Sequence, residues 1–309
     1  MSMPRVSIIM PNKNNARWLP KSIGSVINQT YRNWELIIVD DHSTDDSLEI
    51  IRSFMDQDSR IECICDPDVN YPLTKNIGFD NSSGKYVVFL DSDDWLGKEF
   101  LERGLQNIKK ADAYASSFAV WFGNEKYEKF IFKKGVFTNI DALKLKFRFG
   151  NGNTLLKRRI IENHRIRFPE FRYSEDAFFY TQYLAWSKRI SVDDYIGFFV
   201  NRSTSQTLTT KGIKGYHESM KVYDELLGIL GHDKVEKASY LIRNNNMVYS
   251  ILIYLDSSPR KYKLIYGVKH LPQFLTFIFT SEFYMKKWAL ATTVDLFIPV
   301  KWFLRRFRR

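Results

Sequence analysis

Cysteine is nearly absent from this chain, and its apolar runs are short. Cys63 and Cys65 are the only cysteines among 309 residues, which excludes a disulfide framework and a four-cysteine zinc site. Their alternation within residues 61–65 is typical of one face of a strand, and we expect both thiols to be reduced. The apolar run after the first five residues, 6–10, is too short for the core of a signal peptide. We therefore expect a cytoplasmic protein.

Acidic residues are scarce towards the carboxyl end of the sequence. Residues 257–309 contain eleven Lys and Arg but only Glu282 and Asp295, so this tail carries +9 of the net charge of +11. The nearly neutral remainder argues against nucleic-acid binding, which needs a basic face on the folded domain. The tail is also rich in aromatic residues, and its longest uncharged stretch, 270–281, is too short to span a membrane. Two interpretations follow: a peripheral tail on the cytoplasmic face of an anionic membrane, or a basic helical subdomain whose aromatic residues pack inward or into a dimer.

Strand-like and helix-like segments alternate over the first hundred residues. Strands are predicted at 6–10, 36–39, 61–65 and 86–90, with a loop at 11–15. Helices are predicted from about residue 16, after the polar loop at 40–46, and at 73–80. This alternation requires βαβ crossovers and predicts an α/β fold with a mostly parallel central sheet flanked by helices.

The pattern loosens after residue 95. It predicts a helix over 98–109, antiparallel strands over 114–122 and 130–137, a basic amphipathic helix over 139–149, a short strand over 154–156, a helix from Ser174 and a strand over 190–200. From Lys214 onward the sequence is predicted to be helical. We therefore predict one domain over 1–210, with halves at 1–97 and 98–210, and a helical, basic extension over 211–309.

A cluster of carboxylates, Asp91, Asp93 and Asp94, follows the fourth predicted strand directly. Ligands of open α/β sheets bind beyond the carboxyl ends of the strands, where Asn12 and Asp41 are also expected. Paired carboxylates suit magnesium or manganese, which are commonly shared with substrate phosphates. The polarity of this crevice fits a nucleotide sugar. A strand-ending turn of solvated Asp and Ser is the structural alternative.

Three segments together resemble the inverting glycosyltransferase family 2, of the bacterial surface-polysaccharide type. They are Val6 to Asn12, Leu36 to Asp45 and Phe89 to Trp95, and a weaker similarity continues through 157–159 and 167–170 to Ser174-Glu175-Asp176. The resemblance implies a GT-A fold and a nucleoside diphosphate sugar donor, usually a UDP-sugar. It also implies transfer with inversion to a hydroxyl of a glycan in polysaccharide, lipooligosaccharide or teichoic acid synthesis, with a divalent metal, manganese or magnesium, as cofactor.

The resemblance also assigns roles to individual residues. The implied nucleotide-sugar contacts are Pro11, Asn12, Asn14, Asp41, Lys75, Asp91, Ser92 and Asp93. Asp91 and Asp93 would hold the metal, and Asp176 would be the general base. Contacts to the acceptor or the diphosphate are expected from Trp95, Glu175 and Arg202. The structural alternatives are a helix cap for Asp176, a core position for Trp95 and an exposed loop position for Arg202.

Two rival functions fit parts of the sequence. A nucleotidyltransferase of similar sheet topology would also use paired Asp residues and a metal. Such enzymes usually place a Gly-rich loop after the first strand, whereas residues 11–15 contain no glycine. The second rival is a non-catalytic scaffold that binds a membrane or nucleic acid, and the nearly neutral body argues against its nucleic-acid form.

Overall fold

A ten-stranded mixed sheet flanked by helices forms the core of the computed structural model, which describes residues 5–65, 69–143, 148–170 and 175–203. The strands are β1 (Val6–Asn12), β2 (Trp34–Asp40), β3 (Ile61–Cys65), β4 (Tyr86–Phe89), β5 (Trp95–Leu96), β6 (Ala113–Trp121), β7 (Tyr127–Phe130), β8 (Gly135–Thr138), β9 (Thr154–Lys157) and β10 (Arg189–Asn201). The helices are α1 (Leu19–Ile27), α2 (Ser47–Gln57), α3 (Tyr71–Asp80), α4 (Phe100–Asn107), α5 (Asn139–Leu143), α6 (Arg158–Asn163) and α7 (Glu175–Ala185), with a 3-10 helix at Ile108–Lys110.

The strand directions bring six carboxyl ends to one edge of the sheet. The strand order is β3-β2-β1-β4-β9-β6-β10-β5, and β1 to β4 are mutually parallel. β9 runs antiparallel between β4 and β6, so β6 points the same way as β4, and β10 is parallel to β6. The loops after β1, β2, β4, β6 and β10 therefore meet along this carboxyl edge, where open α/β sheets bind ligands.

The core follows from continuous apolar strands and one-sided helices. Every residue of β1 and of β4 is buried, as expected for parallel strands covered on both faces. Helix α1 has Pro20 in its first turn, where a missing N–H leaves no intrahelical bond unmade. Its buried residues Leu19, Ile23 and Val26 are spaced to share one face.

The four strands predicted in the first hundred residues are all present, and β3 has the predicted bounds. The thiols of Cys63 and Cys65 lie 3.5 Å apart, which confirms that both side chains share one face of β3. Both cysteines are free. The predicted loop at 11–15 is wrong in its first two residues, because Pro11 and Asn12 continue β1 and pair with β2. The pairing with β4 has stopped at Ile9, and a proline is tolerated where a strand is paired on one side only.

Two predictions for the middle of the chain are also wrong in part. The strand expected over 130–137 is divided into β7 and β8, with residues 131–134 outside both. The physical reason is a change of partner: β7 pairs with β6, whereas β8 pairs with β10. The helix expected over 139–149 begins as α5, but Arg148 and Phe149 at its far end are not helical.

The carboxyl-terminal predictions lie outside the described residues. These are the helices from Lys214, the basic tail at 257–309 and the domain boundary near residue 210, all of which stay predictions. Within the described ranges, no helix combines the length and the apolar character that a membrane span requires.

Candidate active site

The acidic loop after β4 is tied to the strands on either side of it. Asn15 Nδ2 donates to the hydroxyl of Ser92 over 2.8 Å, which links the loop after β1 to this loop. The backbone N–H of Asn201, at the end of β10, donates to Asp94 Oδ1 over 2.8 Å. Burial raises the pKa of Asp94 well above its usual value, and the charges of Asp93 and Asp91 raise it further. Asp94 therefore links the acidic loop after β4 to the end of β10.

Asp91 and Asp93 form a pair of carboxylates whose like charges repel each other. Burial raises the pKa of Asp93 to about 6, the charge of Asp91 adds to this, and Arg202 opposes it. A hard divalent cation would relieve that repulsion, and two carboxylates with substrate phosphate oxygens are a common magnesium or manganese environment. The chemistry of these two donors therefore fits the implied metal. Among the residues described, no group of three or more His, Cys, Asp or Glu is placed to hold an ion by itself.

A buried lysine lies among three carboxylates, one of which is Asp91. The side chain of Lys75, from α3, is 0% exposed, and its Nζ lies 2.8 Å from Asp176, 3.6 Å from Glu175 and 3.8 Å from Asp91. Burial alone would lower the pKa of Lys75, but Asp176, Asp91 and Glu175 outweigh it and raise that pKa well above its usual value. The buried ammonium is therefore paired with these three carboxylates. The predicted phosphate contact of Lys75 stays a prediction.

The two adjacent carboxylates of α7 differ in environment. The side chain of Glu175 is 14% exposed, and burial followed by the charge of Asp176 raises its pKa to about 7. The side chain of Asp176 is 42% exposed, so one of its faces is open to solvent while Lys75 holds the other. Of the two, Asp176 is the carboxylate that a bound molecule can reach.

Asn151 joins the carboxylates of Asp91 and Asp176, and sequence reasoning missed it. Its Nδ2 donates to both oxygens of Asp176 over 3.0 and 3.1 Å, and lies 3.4 Å from both oxygens of Asp91. The hydroxyl of Tyr180 donates to Asn151 Oδ1 over 3.0 Å. The only local signal was the Gly-Asn-Gly-Asn sequence at 150–153, which is typical of a turn and says nothing of a site.

The loops after β1 and β2 interlock beside the acidic loop. Asn12 Nδ2 donates to Asp40 over 2.7 Å, while its buried Oδ1 has no partner. Asp41 is buried and accepts a 2.9 Å ion pair from Lys13. Asn14 has a left-handed backbone, with φ at 52°, and its Oδ1 accepts from the backbone N–H of Thr44. Hydrogen bonds between side chains and backbone therefore hold the loops after β1 and β2 together.

Trp95 and Arg202 have contrasting positions. Trp95 is 7% exposed, its ring stacks on Phe199, and Lys21 Nζ lies 3.3 Å from its ring centroid. This burial favours the core interpretation of Trp95. Arg202 is exposed, and it lies close enough to the acidic loop for its charge to lower the pKa of Asp93.

The structure thus brings the implied residues into two neighbouring groups. Asp91, Lys75, Glu175 and Asp176 are in one contact network, joined through Asn151. The second group consists of Pro11, Asn12, Asn14 and Asp41, on the loops after β1 and β2, and it is linked to Ser92 through Asn15.

Comparison with known proteins gives a consistent result. The sequence model described as "Glycosyl transferase family 2" matches residues 7–173. An uncharacterized glycosyltransferase of Haemophilus influenzae is 37% identical over 186 residues, which cover 58% of this chain and 72% of that protein. The poly(ribitol-phosphate) beta-N-acetylglucosaminyltransferase TarP of Staphylococcus aureus is 33% identical over 199 residues, which cover 62% of this chain and 60% of TarP. The matched region is therefore less than two thirds of the length of TarP.

A further relative aligns over most of both chains. It is the GalNAc(5)-diNAcBac-PP-undecaprenol beta-1,3-glucosyltransferase of Campylobacter jejuni, 29% identical over 277 residues, which cover 85% of this chain and 86% of that protein.

Solved structures share the fold. S. aureus TarS residues 1–349, in complex with UDP-GlcNAc, has a TM-score of 0.65 at 18% identity and covers 98% of this chain and 92% of its own. The mannosyltransferase PcManGT of Pyrobaculum calidifontis, in complex with GDP-Man and Mn2+, has a TM-score of 0.55 at 14% identity, with 98% and 88% covered. The predicted GT-A fold is confirmed by these similarities and by the mixed sheet with flanking helices.

Proposed function

The chain belongs to glycosyltransferase family 2, and from that premise we propose that it transfers one sugar from a UDP-sugar to a hydroxyl of a cell-surface glycan, with inversion. Two of the relatives are named for transfer to poly(ribitol-phosphate) and to GalNAc(5)-diNAcBac-PP-undecaprenol, which supports an acceptor of the cell-surface polymer or lipid-linked glycan class. A UDP-linked donor is supported by the UDP-GlcNAc in the TarS complex.

The donor is proposed to lie on the loops after β1, β2 and β4. Pro11 and Asn12 would lie against the base, as the family resemblance implies. Asp41 would accept from uracil, and Asn14 and Ser92 would line the nucleotide. Asp91 and Asp93 would hold the metal, which supplies positive charge at the diphosphate as the sugar–phosphate bond breaks. Arg202 would add a second positive charge there or at the acceptor, and its electrostatic effect on Asp93 supports this role.

Asp176 is proposed as the general base. Inversion by a single displacement requires a base that takes the proton of the acceptor hydroxyl as its oxygen attacks the anomeric carbon. The exposed face of Asp176 is available for that proton. Glu175 is largely buried and is better suited to pair with Lys75. The assignment rests on one observation: Asp176 accepts hydrogen bonds from Lys75 and Asn151 while part of its carboxylate stays exposed to solvent.

The proposal is tested by UDP release from a panel of UDP-sugars, with lipid extract as the source of acceptors. Asp176→Asn keeps the size of the side chain but removes its basicity, and we expect it to lower turnover by about 100-fold or more. Asp80→Asn is the matched control, because Asp80 is exposed and pairs with Arg167 outside the site. If Asp176→Asn releases UDP as fast as Asp80→Asn and the unaltered protein do, Asp176 is not the base.

We also propose that residues 257–309 hold the protein on the cytoplasmic face of an anionic membrane. The charge and aromatic content of this tail are the support, since the two signals together are what stable peripheral binding requires. A chain truncated after residue 256 should sediment less with phosphatidylglycerol vesicles than the full chain does. Equal sedimentation of the two would contradict the proposal. The division into a domain at 1–210 and a helical extension at 211–309 is part of the same proposal.

A further inference from the structure

Asn151 is held by several contacts before any substrate is bound. Its neighbour Gly152 has a φ of +76° and donates its N–H to the carbonyl of Phe89, at the end of β4, over 2.7 Å. Asn153 holds the other side of the loop, because its Nδ2 donates to the carbonyls of Ser116 and Arg148. Asn151 itself is 2% exposed. The loop backbone and the side chain are therefore both fixed.

A hydrogen bond from Tyr180 sets the orientation of the Asn151 amide. Tyr180 lies one helical turn after Asp176 on α7, so both side chains are on the same face of that helix. The buried Tyr180 hydroxyl donates to Asn151 Oδ1, so the amide N–H groups must point the other way, towards Asp176 and Asp91. Rotating the amide by half a turn would place its oxygen against two carboxylates.

Lys75 alone does not define the direction of Asp176. Its Nζ contacts one oxygen, Oδ1, at 2.8 Å, and an ammonium on a flexible stem allows the carboxylate to pivot about that contact. Asn151 adds a second donor near both oxygens, which fixes the plane of the carboxylate. Since the same donor lies near Asp91, the base is also fixed relative to the donor side of the site.

We propose that Asn151 is a positioning residue for sugar transfer: oriented by Tyr180, it sets the direction of the Asp176 carboxylate towards the acceptor and its distance from Asp91. This inference rests on the proposed function of Asp176 as the base. It adds two residues, Asn151 and Tyr180, whose substitution reduces the rate of transfer without removing any group that touches the substrate.

The test is a double-mutant cycle on kcat, measured as UDP release at saturating UDP-sugar for a donor that the unaltered protein turns over. Asn151→Ala should lower kcat about 30-fold, since small misplacements of a reacting group cost one to two orders of magnitude. Tyr180→Phe should lower it less, about fivefold. In the Asn151→Ala background, Tyr180→Phe should have no further effect, because the hydroxyl acts only through the amide. The Kd of UDP, measured by titration calorimetry, should stay within about threefold in all three variants.

Tyr183→Phe is the matched control, being the same substitution on the same helix. Tyr183 is fully buried, and its hydroxyl accepts from the N–H of Lys157 and donates to the carbonyl of Asp112. It should lower the melting temperature but leave kcat unchanged.

Three outcomes would overturn the positioning role. They are an unchanged kcat in Asn151→Ala, equal losses from Tyr180→Phe in both backgrounds, and a loss of kcat in Tyr183→Phe as large as that in Tyr180→Phe. If Asp176→Asn lowers turnover about 100-fold or more while Asn151→Ala leaves kcat unchanged, only this inference fails. If Asp176→Asn is fully active, the proposed function of Asp176 fails and the inference fails with it.

Discussion

Replacing Lys75 with Met tests the charge balance of the site most severely. The substitution keeps the length of the side chain but removes a buried cation from three carboxylates at 2.8, 3.6 and 3.8 Å. Each contact is worth on the order of 4 kcal/mol of Coulomb attraction at an effective dielectric constant of about 20, and desolvation offsets most of that sum. Breaking a buried pair from one side costs about 3–5 kcal/mol. Since Asp176 and Asp91 are partly exposed, we expect the lower end, about 3 kcal/mol, which corresponds to a melting temperature lower by about 6–12 °C.

The stability loss should depend on pH in a defined direction. The pKa of Glu175 in the folded protein is about 7, raised by burial and by Asp176 and lowered by Lys75. Because this pKa is above that of an unfolded Glu, ionisation of Glu175 costs stability as the pH rises through 7. Without the positive charge of Lys75, which lowers the pKa of Glu175, ionisation of Glu175 costs more stability. The difference in melting temperature between the unaltered protein and Lys75→Met should therefore be greater at pH 8 than at pH 5.5.

The assay is thermal unfolding followed by circular dichroism at both pH values, with Arg103→Met as the control. Arg103 forms a 3.1 Å ion pair with the buried Asp193, far along β10 from the candidate site. Although burial raises the pKa of Asp193, its hydrogen bond with Asp194 and the charges of Lys134 and Arg103 lower it. Stability from Asp193 is lost only under acid conditions, so the deficit of Arg103→Met should be similar at pH 5.5 and pH 8. A Lys75→Met protein that melts within about 2 °C of the unaltered protein at pH 8 would refute the reasoning.

Two further predictions concern the loop and the metal. Gly152→Ala should lower the free energy of unfolding in urea by about 2–4 kcal/mol, because the added Cβ would lie 1.9 Å from the Phe198 ring on a backbone with φ of +76°. Gly24→Ala in α1 is the control: its Cβ would meet nothing within 4 Å, and it should stabilise the protein by about 0.5–1 kcal/mol. Equal stabilities of the two variants would contradict this account of the loop. Asp93→Ala should weaken UDP binding in Mn2+ by at least about tenfold in calorimetry and should make it insensitive to EDTA. Metal-dependent UDP binding of normal strength in this variant would exclude Asp93 as a ligand.

The first hundred residues of the fold could be predicted because their signals are local. Apolar strands alternate with amphipathic helices, and each polar loop comes directly after a strand, so parallel pairing alone brings Asn12, Asp41 and Asp91 to one edge. Even there Pro11 was misassigned, because which side of a strand is paired is a property of the sheet and not of the segment.

The contacts among Lys75, Asn151 and Asp176 could not be predicted in the same way. Lys75 and Asp176 are 101 residues apart, and nothing in the sequence around Lys75 shows that its ammonium is buried under carboxylates. Asn151 is brought to the site by β9, a four-residue strand that runs antiparallel between β4 and β6. A strand this short carries little periodicity, so its partners are decided by tertiary packing.

The central claim is that Asp176 acts as the single general base in a one-step displacement on a UDP-sugar. The most direct test is the anomeric configuration of the first sugar product, followed by proton NMR with an α-linked UDP-sugar that the protein turns over. The account predicts that the β anomer forms first, because one base on the acceptor side produces inversion. Initial formation of the α anomer would contradict it, since retention requires either a second displacement or attack from the same face as the leaving diphosphate.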